Sequence, residues 1–161
     1  AQIVLENDGG LVFGVSYYGF SNMENASLND KSASGLSNTI FKYSLIESFA
    51  KMDLNDNTKV FANYVANTDA DDNDTAYMIG IGTKQGDWAF DYNYREVGLD
   101  AIYDGWADSD FHDGGTGGSG HKFKVKRSLA KNLSAGATYF LTETESGDAV
   151  NTLQLDLVSK F

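Results

Sequence analysis

The chain has 161 residues, the size of one domain with a real core, and carries 23 acids against 12 bases, with 17 Gly, 9 Tyr, 10 Phe, no Pro and no Cys. A formal charge of −11 argues against nucleic acid as a partner, because phosphate binding needs a basic surface. The missing Cys excludes disulfide scaffolds, Cys-ligated zinc and thiol nucleophiles, and the Gly- and aromatic-rich remainder favours many strands joined by turns.

In chain order, "QIVLENDGG" (2–10) reads as the end of a descending strand running into a tight turn. Period-2 alternation then marks eight strand-length segments: Gly10–Asn22, Thr39–Leu54, Thr58–Thr68, Thr75–Lys84, Trp88–Tyr103, His121–Ala130, Leu133–Glu145 and Val150–Phe161. The first sets Leu11, Phe13, Val15 and Tyr17 against Gly14, Ser16 and Tyr18. In the fifth, Trp88, Phe90, Tyr92 and Tyr94 alternate with Ala89, Asp91, Asn93 and Arg95. The seventh alternates Leu133, Ala135, Ala137, Tyr139 and Leu141 with small polar residues, and Phe140 is its one exception. In the last, Leu153, Leu155, Leu157 and Phe161 share a face opposite Gln154, Asp156 and Lys160. One apolar and one polar or small face recur throughout.

The connections alternate as well. "NDN" (55–57), "QGD" (85–87) and "KN" (131–132) are tight turns, whereas the intervening connections are longer and polar, "SGDA" being their one short member. Short turns at one end and long loops at the other describe an antiparallel transmembrane β-barrel. No run approaches the ~20 apolar residues of a membrane helix, and alternating strands need none. On this reading the class is all-β, with about eight strands over 1–161 forming a single barrel domain or the C-terminal portion of a larger one. The C-terminus and tight turns lie on the periplasmic side, and Trp88, Phe90, Tyr92, Tyr94, Leu153, Leu155, Leu157 and Phe161 face lipid or its aromatic girdles, as do Tyr17, Phe20 and Tyr64. A soluble sandwich or ligand-binding barrel would turn the same apolar faces inward, and a small filled barrel acting as anchor or adhesin would close on eight strands.

Lys122, Lys124 and Lys126 alternate with Phe123 and Val125, so all three ammonium groups point to the interior. Arg95, Asp91, Lys42, Asp156 and Gln154 are expected to join them in lining a pore. A water-filled lumen removes the desolvation cost that such charges would bear in a dry plug.

Other motifs fail in context. "GTGGSG" (115–120) satisfies G-x-G-x-x-G, but the strand-like "HKFKVK" follows where a dinucleotide site needs a helix, so a flexible external loop is expected. Asp69, Asp71, Asn73 and Asp74 offer oxygens for a weak Ca²⁺ site, as do Asp104, Asp108, Asp110 and Asp113, yet Asp74 stands where an EF-hand needs Gly and Gly80 where it needs Glu. His112 and His121 lack the helical partner of a zinc site, and loop polarity accounts for both. No catalytic residues, metal site or cofactor are assigned, and no enzymatic activity is expected. With neither initiator Met nor signal peptide, the numbering is expected to start on a mature or trimmed chain.

From about Trp88 the sequence resembles the C-terminal end of the "putative porin" family of Gram-negative bacteria. The resemblance rests on the aromatic strand Tyr92–Arg95, "DSDF" followed by "GGTGGSGHK", the "LAKNLSAGATYF" hairpin and the closing "LQLDL…F". It implies a passive diffusion channel for small hydrophilic solutes and ions in the bacterial outer membrane. It further implies a homotrimer, a barrel larger than eight strands, outer-membrane lipids as surroundings, and terminal Phe161 read by the barrel assembly machinery. Here Ser159 stands two before the end, where that terminal pattern usually has an apolar residue.

Overall fold

The computed structural model describes residues 1–21, 40 and 42–160. Nine antiparallel strands form one sheet in sequence order, each paired with its chain neighbours. They are β1 (Gln2–Glu6), β2 (Leu11–Phe20), β3 (Tyr43–Asn55), β4 (Thr58–Asn67), β5 (Thr75–Gln85), β6 (Trp88–Val97), β7 (Gly118–Ala130), β8 (Leu133–Thr144) and β9 (Ala149–Ser159). Beyond β1 every strand has at least 10 residues, the length that crosses a bilayer when tilted.

The register decides which residues share a face. One row runs Lys51, Phe61, Gly80, Asn93, Lys122, Phe140 and Thr152; its neighbour runs Met52, Val60, Ile81, Tyr92, Phe123, Tyr139 and Leu153. The second row is apolar from end to end and belongs to the face that exposes the large hydrophobic side chains, where Leu155 is 76% and Ile79 60% accessible. The first face holds the buried strand residues, including Ser16, Leu45, Asn93, Thr138 and Phe140. A single recess on it touches β4 through β7 and the 8–10 turn, which requires the sheet to curl toward that side. It is therefore the inner face. Two glycines admit aromatic rings there: a Cβ at Gly14 would enter the Phe49 ring and one at Gly80 the Phe61 ring.

Tight turns cluster at one end. Asn7 Oδ1 accepts the amides of Gly9 and Leu11, Asn55 Oδ1 accepts that of Asn57, and Gly86 supplies a φ of +57°. The longer connections leave the opposite end, as the turn pattern predicts.

Several boundaries differ from the expected segments. The fifth segment does not continue to Tyr103; β6 stops at Val97, because Gly98 abuts the carbonyl oxygens of Asn73 and Thr75 and its amide bonds Thr75 O at 2.9 Å. The next strand starts earlier, at Gly118 rather than His121. The second starts at Tyr43, while Asn22, Thr39 and Phe161 lie outside the described residues. "QIVLE" forms β1, which pairs with β2 from Gln2↔Ser16 to Glu6↔Val12. So β2 does not meet β9, and among the described residues β1 and β9 are the two edges of an open sheet.

Candidate functional site

Residues 98–117, between β6 and β7, fold back across the inner face at the long-loop end. Five residues in left-handed backbone reverse the chain: His112, Asp113, Gly114, Gly115 and Gly117, with φ of 41°, 67°, 89°, 81° and 78°. Glycine tolerates such angles without Cβ strain, which is what the Gly-rich stretch supplies here. Thr116 is buried and its hydroxyl donates to Leu99 O at 2.6 Å. "GTGGSG" is thus neither a phosphate loop nor the flexible external loop expected from composition; its last three residues already belong to β7.

Aromatic contacts anchor the loop on both sides. Toward β2 and β3, Trp106 meets Phe20 edge-on with centroids 4.8 Å apart, and Tyr103 meets Tyr43 at 6.0 Å. Asn67 donates to Asp100 O at 2.8 Å from β4. Toward β8, Phe111 meets Phe140 at 6.4 Å. This explains Phe140, the one large apolar residue out of phase in its strand: it faces inward to receive the loop. Phe20 likewise packs against the loop instead of joining an outer girdle.

One carboxylate ties the loop to the strands. Asp108 lies 3.0 Å from Lys122 Nζ and 3.3 Å from an Arg95 guanidinium nitrogen. Arg95 sits over the Phe111 ring at 4.5 Å and Lys122 over Phe140 at 4.8 Å. Burial pushes the Asp108 carboxyl up, but the hydrogen bond and charge of Lys122, the Asp110 amide and Arg95 together hold it below the ordinary carboxylate range. Nearby, His112 is fully buried with neither ring nitrogen hydrogen-bonded, and burial lowers its pKa below the usual 6.5. Its concealment departs from the exposed-loop expectation. His121 lies in β7 on the outer face, against Tyr92, whose hydroxyl is 2.9 Å from Nδ1.

The ladder brings most of the residues singled out from sequence onto two faces. Asp91 pairs with Lys124, Lys124 with Thr138 and Thr138 with Gln154; Lys126 pairs with Gly136 and Gly136 with Asp156. With Arg95 and Lys122 these share the inner face. Trp88, Phe90, Tyr92, Tyr94, Leu153, Leu155 and Leu157 share the outer face. Lys42 is a correction: it precedes β3, is exposed, and holds Asp69 at 2.7 Å outside the strand ladder. That hydrogen bond, then Ser44, keeps the Asp69 carboxyl below its usual range. Asp69 is therefore bound to a lysine, and among the described residues no three acidic or histidine side chains converge as metal ligands around it, Asp71 or Asp74. Asp108 is similarly committed to Arg95 and Lys122.

Sequence reasoning passed over other inner-face charges. Lys59 and Lys84 enter the same recess as the β7 lysines. Lys51 pairs with Asp53 at 3.2 Å, and Glu47 accepts from Asn63 at 2.6 Å and Tyr18 at 3.1 Å. Lys84 was legible in the alternation of Tyr77, Ile79, Ile81 and Thr83 against Met78, Gly80, Gly82 and Lys84. Lys59 was not, because both faces of β4 carry apolar residues.

No curated protein matches the chain. The sequence profile of a family described as "Putative porin" matches residues 37–161, which hold β3 to β9 together with the folded loop and the lysine stripe. That match covers well over half the chain and carries a porin-like role and a membrane location, so the chain belongs to this porin family.

Proposed function

We propose that the chain forms the wall of a passive diffusion pore for small hydrophilic solutes and ions in the bacterial outer membrane. The observation that carries this reading is the division of the two faces: a mainly apolar outer face whose charged residues, Glu96, Arg127 and Glu143, lie toward the strand ends, and an inner face bearing charge on five adjacent strands, β3 to β7. Lipid suits the first and water the second. The short turns then lie on the periplasmic side, and the 98–117 loop narrows the lumen and sets which solutes pass. Such a pore works by diffusion and needs no catalytic step.

An open sheet edge is not tolerated in hydrocarbon, where unpaired amides and carbonyls find no water. In this reading further strands join β1 and β9 and close the barrel. Three such barrels associate as a homotrimer, with insertion by the barrel assembly machinery.

Replacing Lys122, Lys124 and Lys126 together with Glu is expected to shift the reversal potential in a salt gradient toward cations, because lumen charge acts within about a Debye length, ~8 Å. Folding survives, since lumen positions accept polar residues. Planar-bilayer recordings of open channels with no shift would place the stripe outside the conduction path. Folded protein that never conducts would make the barrel a filled one.

A further inference from the structure

We infer that the inner face holds a binding site for small solutes carrying two or more negative charges, built from Lys59, Lys84, Lys124 and Lys126 at the short-turn end. The inference deepens the pore reading and rests on it for the role in transport. The four lysines come from β4, β5 and β7 and enter one recess of about 820 Å³. Register brings them together: Lys59 pairs with Gly82, Gly82 with Asp91 and Asp91 with Lys124, while one row nearer the turns Lys84 pairs with Ala89 and Ala89 with Lys126. Small residues between the lysines leave the centre open. Lys59 lies across Gly82, since a Cβ there would stand 3.3 Å from both Lys59 Cε and Asp91 Oδ2.

The charge balance makes this an anion site. Among the described residues no carboxylate lies within ion-pair distance of these four ammonium groups; the ion pairs present use Lys42, Lys51, Arg95 and Lys122. Four acids border the recess. Asp53 is held by Lys51, Asp91 stands between Lys59 and Lys124, and Asp8 and Asp56 sit in the turns at its edge. Asp91 offsets one of the four lysines inside the recess and Asp8 and Asp56 act on the others from its edge, so the recess keeps an excess of positive charge in a concavity where the surrounding wall concentrates the field. The acidic loops do not cancel this, because they lie a strand length away, ~30 Å, several Debye lengths at physiological salt.

Multivalent anions fit better than chloride. Lys124 and Lys126 start about 7 Å apart along one strand, and four-carbon stems let neighbouring ammonium groups converge on one phosphate- or carboxylate-bearing solute. The ammonium groups are hydrated and mobile, so binding is strong enough to draw the solute in and weak enough to release it.

The test uses inorganic pyrophosphate on the whole natural chain. Titrating it into detergent-solubilised protein is expected to give saturable binding by calorimetry, and adding it to planar bilayers to reduce chloride current. Changing Lys59, Lys84, Lys124 and Lys126 to Gln should weaken both effects by on the order of tenfold or more, whereas Lys42→Gln, at the opposite end, leaves them unchanged. Conducting channels that pyrophosphate neither binds nor inhibits, or a fourfold Gln variant that binds as tightly as the natural chain, would overturn the site and leave the pore intact. Binding without any conductance would uphold the site and reject the pore.

Discussion

His112 is the residue where a local anomaly has the clearest consequence. Its ring is enclosed with neither nitrogen hydrogen-bonded, and Arg95 and Asp113 are the charged groups acting on it. Burial, the largest effect, disfavours the imidazolium, and Arg95 adds to it, against the opposing pull of the residue's own backbone carbonyl and of Asp113. The folded state therefore binds this proton more weakly than the unfolded chain, whose His titrates near 6.5. The neutral ring's contribution to loop stability is fully present above about pH 6.5 and declines as pH falls toward the lower folded value. An NMR titration of the His112 ring protons should give a midpoint below 6.5 in the folded protein. A midpoint at or above 6.5 would mean the ring is hydrated, and the loop is then not packed as described.

Between residue and barrel, the element that matters is the 98–117 loop. Its aromatic contacts reach β2, β3 and β8, and Asp108 ties it to β6 and β7 beside the Arg95 guanidinium that covers the Phe111 ring. Asp108→Asn keeps the size and removes the charge. We expect loop anchoring to weaken by about 1–2 kcal/mol, the scale of a charge-assisted hydrogen bond in a half-buried setting. Hydrogen exchange of the loop amides should accelerate roughly tenfold, while the β4–β8 amides stay protected. Unchanged loop protection would assign the anchoring to Phe111, Tyr103 and Trp106 and to the Asn67 hydrogen bond on Asp100. The same substitution leaves Arg95 and Lys122 without a counter-charge, so any open pore should shift toward anions.

At the scale of the whole molecule, strand parity makes an all-or-none statement about surroundings. Leu153, Leu155 and Leu157 on β9 face outward, and Gln154 and Asp156 face inward. Nitroxide labels at these five positions, in protein reconstituted into lipid, should alternate between oxygen accessibility and accessibility to a water-soluble nickel chelate. Uniform accessibility to the aqueous agent would reject the membrane orientation, because a period of two allows no mixed assignment.

The alternation of apolar and polar residues is a local property, and with the lengths of the connections it determined where most strands run, which residues most of them present to each face, and which end carries the long loops. Trp88, Phe90, Tyr92 and Tyr94 against Ala89, Asp91, Asn93 and Arg95 needed no partner strand to be sorted. Pairing was decided elsewhere. The residue opposite Lys124 depends on registers summed over several hairpins, so the gathering of Lys59 and Lys84 with the β7 lysines emerges only when the sheet curls. The loop shows the same limit more sharply: its Gly, Asp and Ser content reads as solvated chain, yet Phe111, Tyr103 and Trp106 find Phe140, Tyr43 and Phe20 across the sheet and bury it. Lys42 was misplaced because the expected strand ran back to Thr39, whereas β3 begins at Tyr43, and the inward set Tyr43, Leu45 and Glu47 gives position 42 no place on the inner face. Period-2 patterning fixes what each strand presents to its two sides; contacts between strands distant in sequence decide which of those side chains meet.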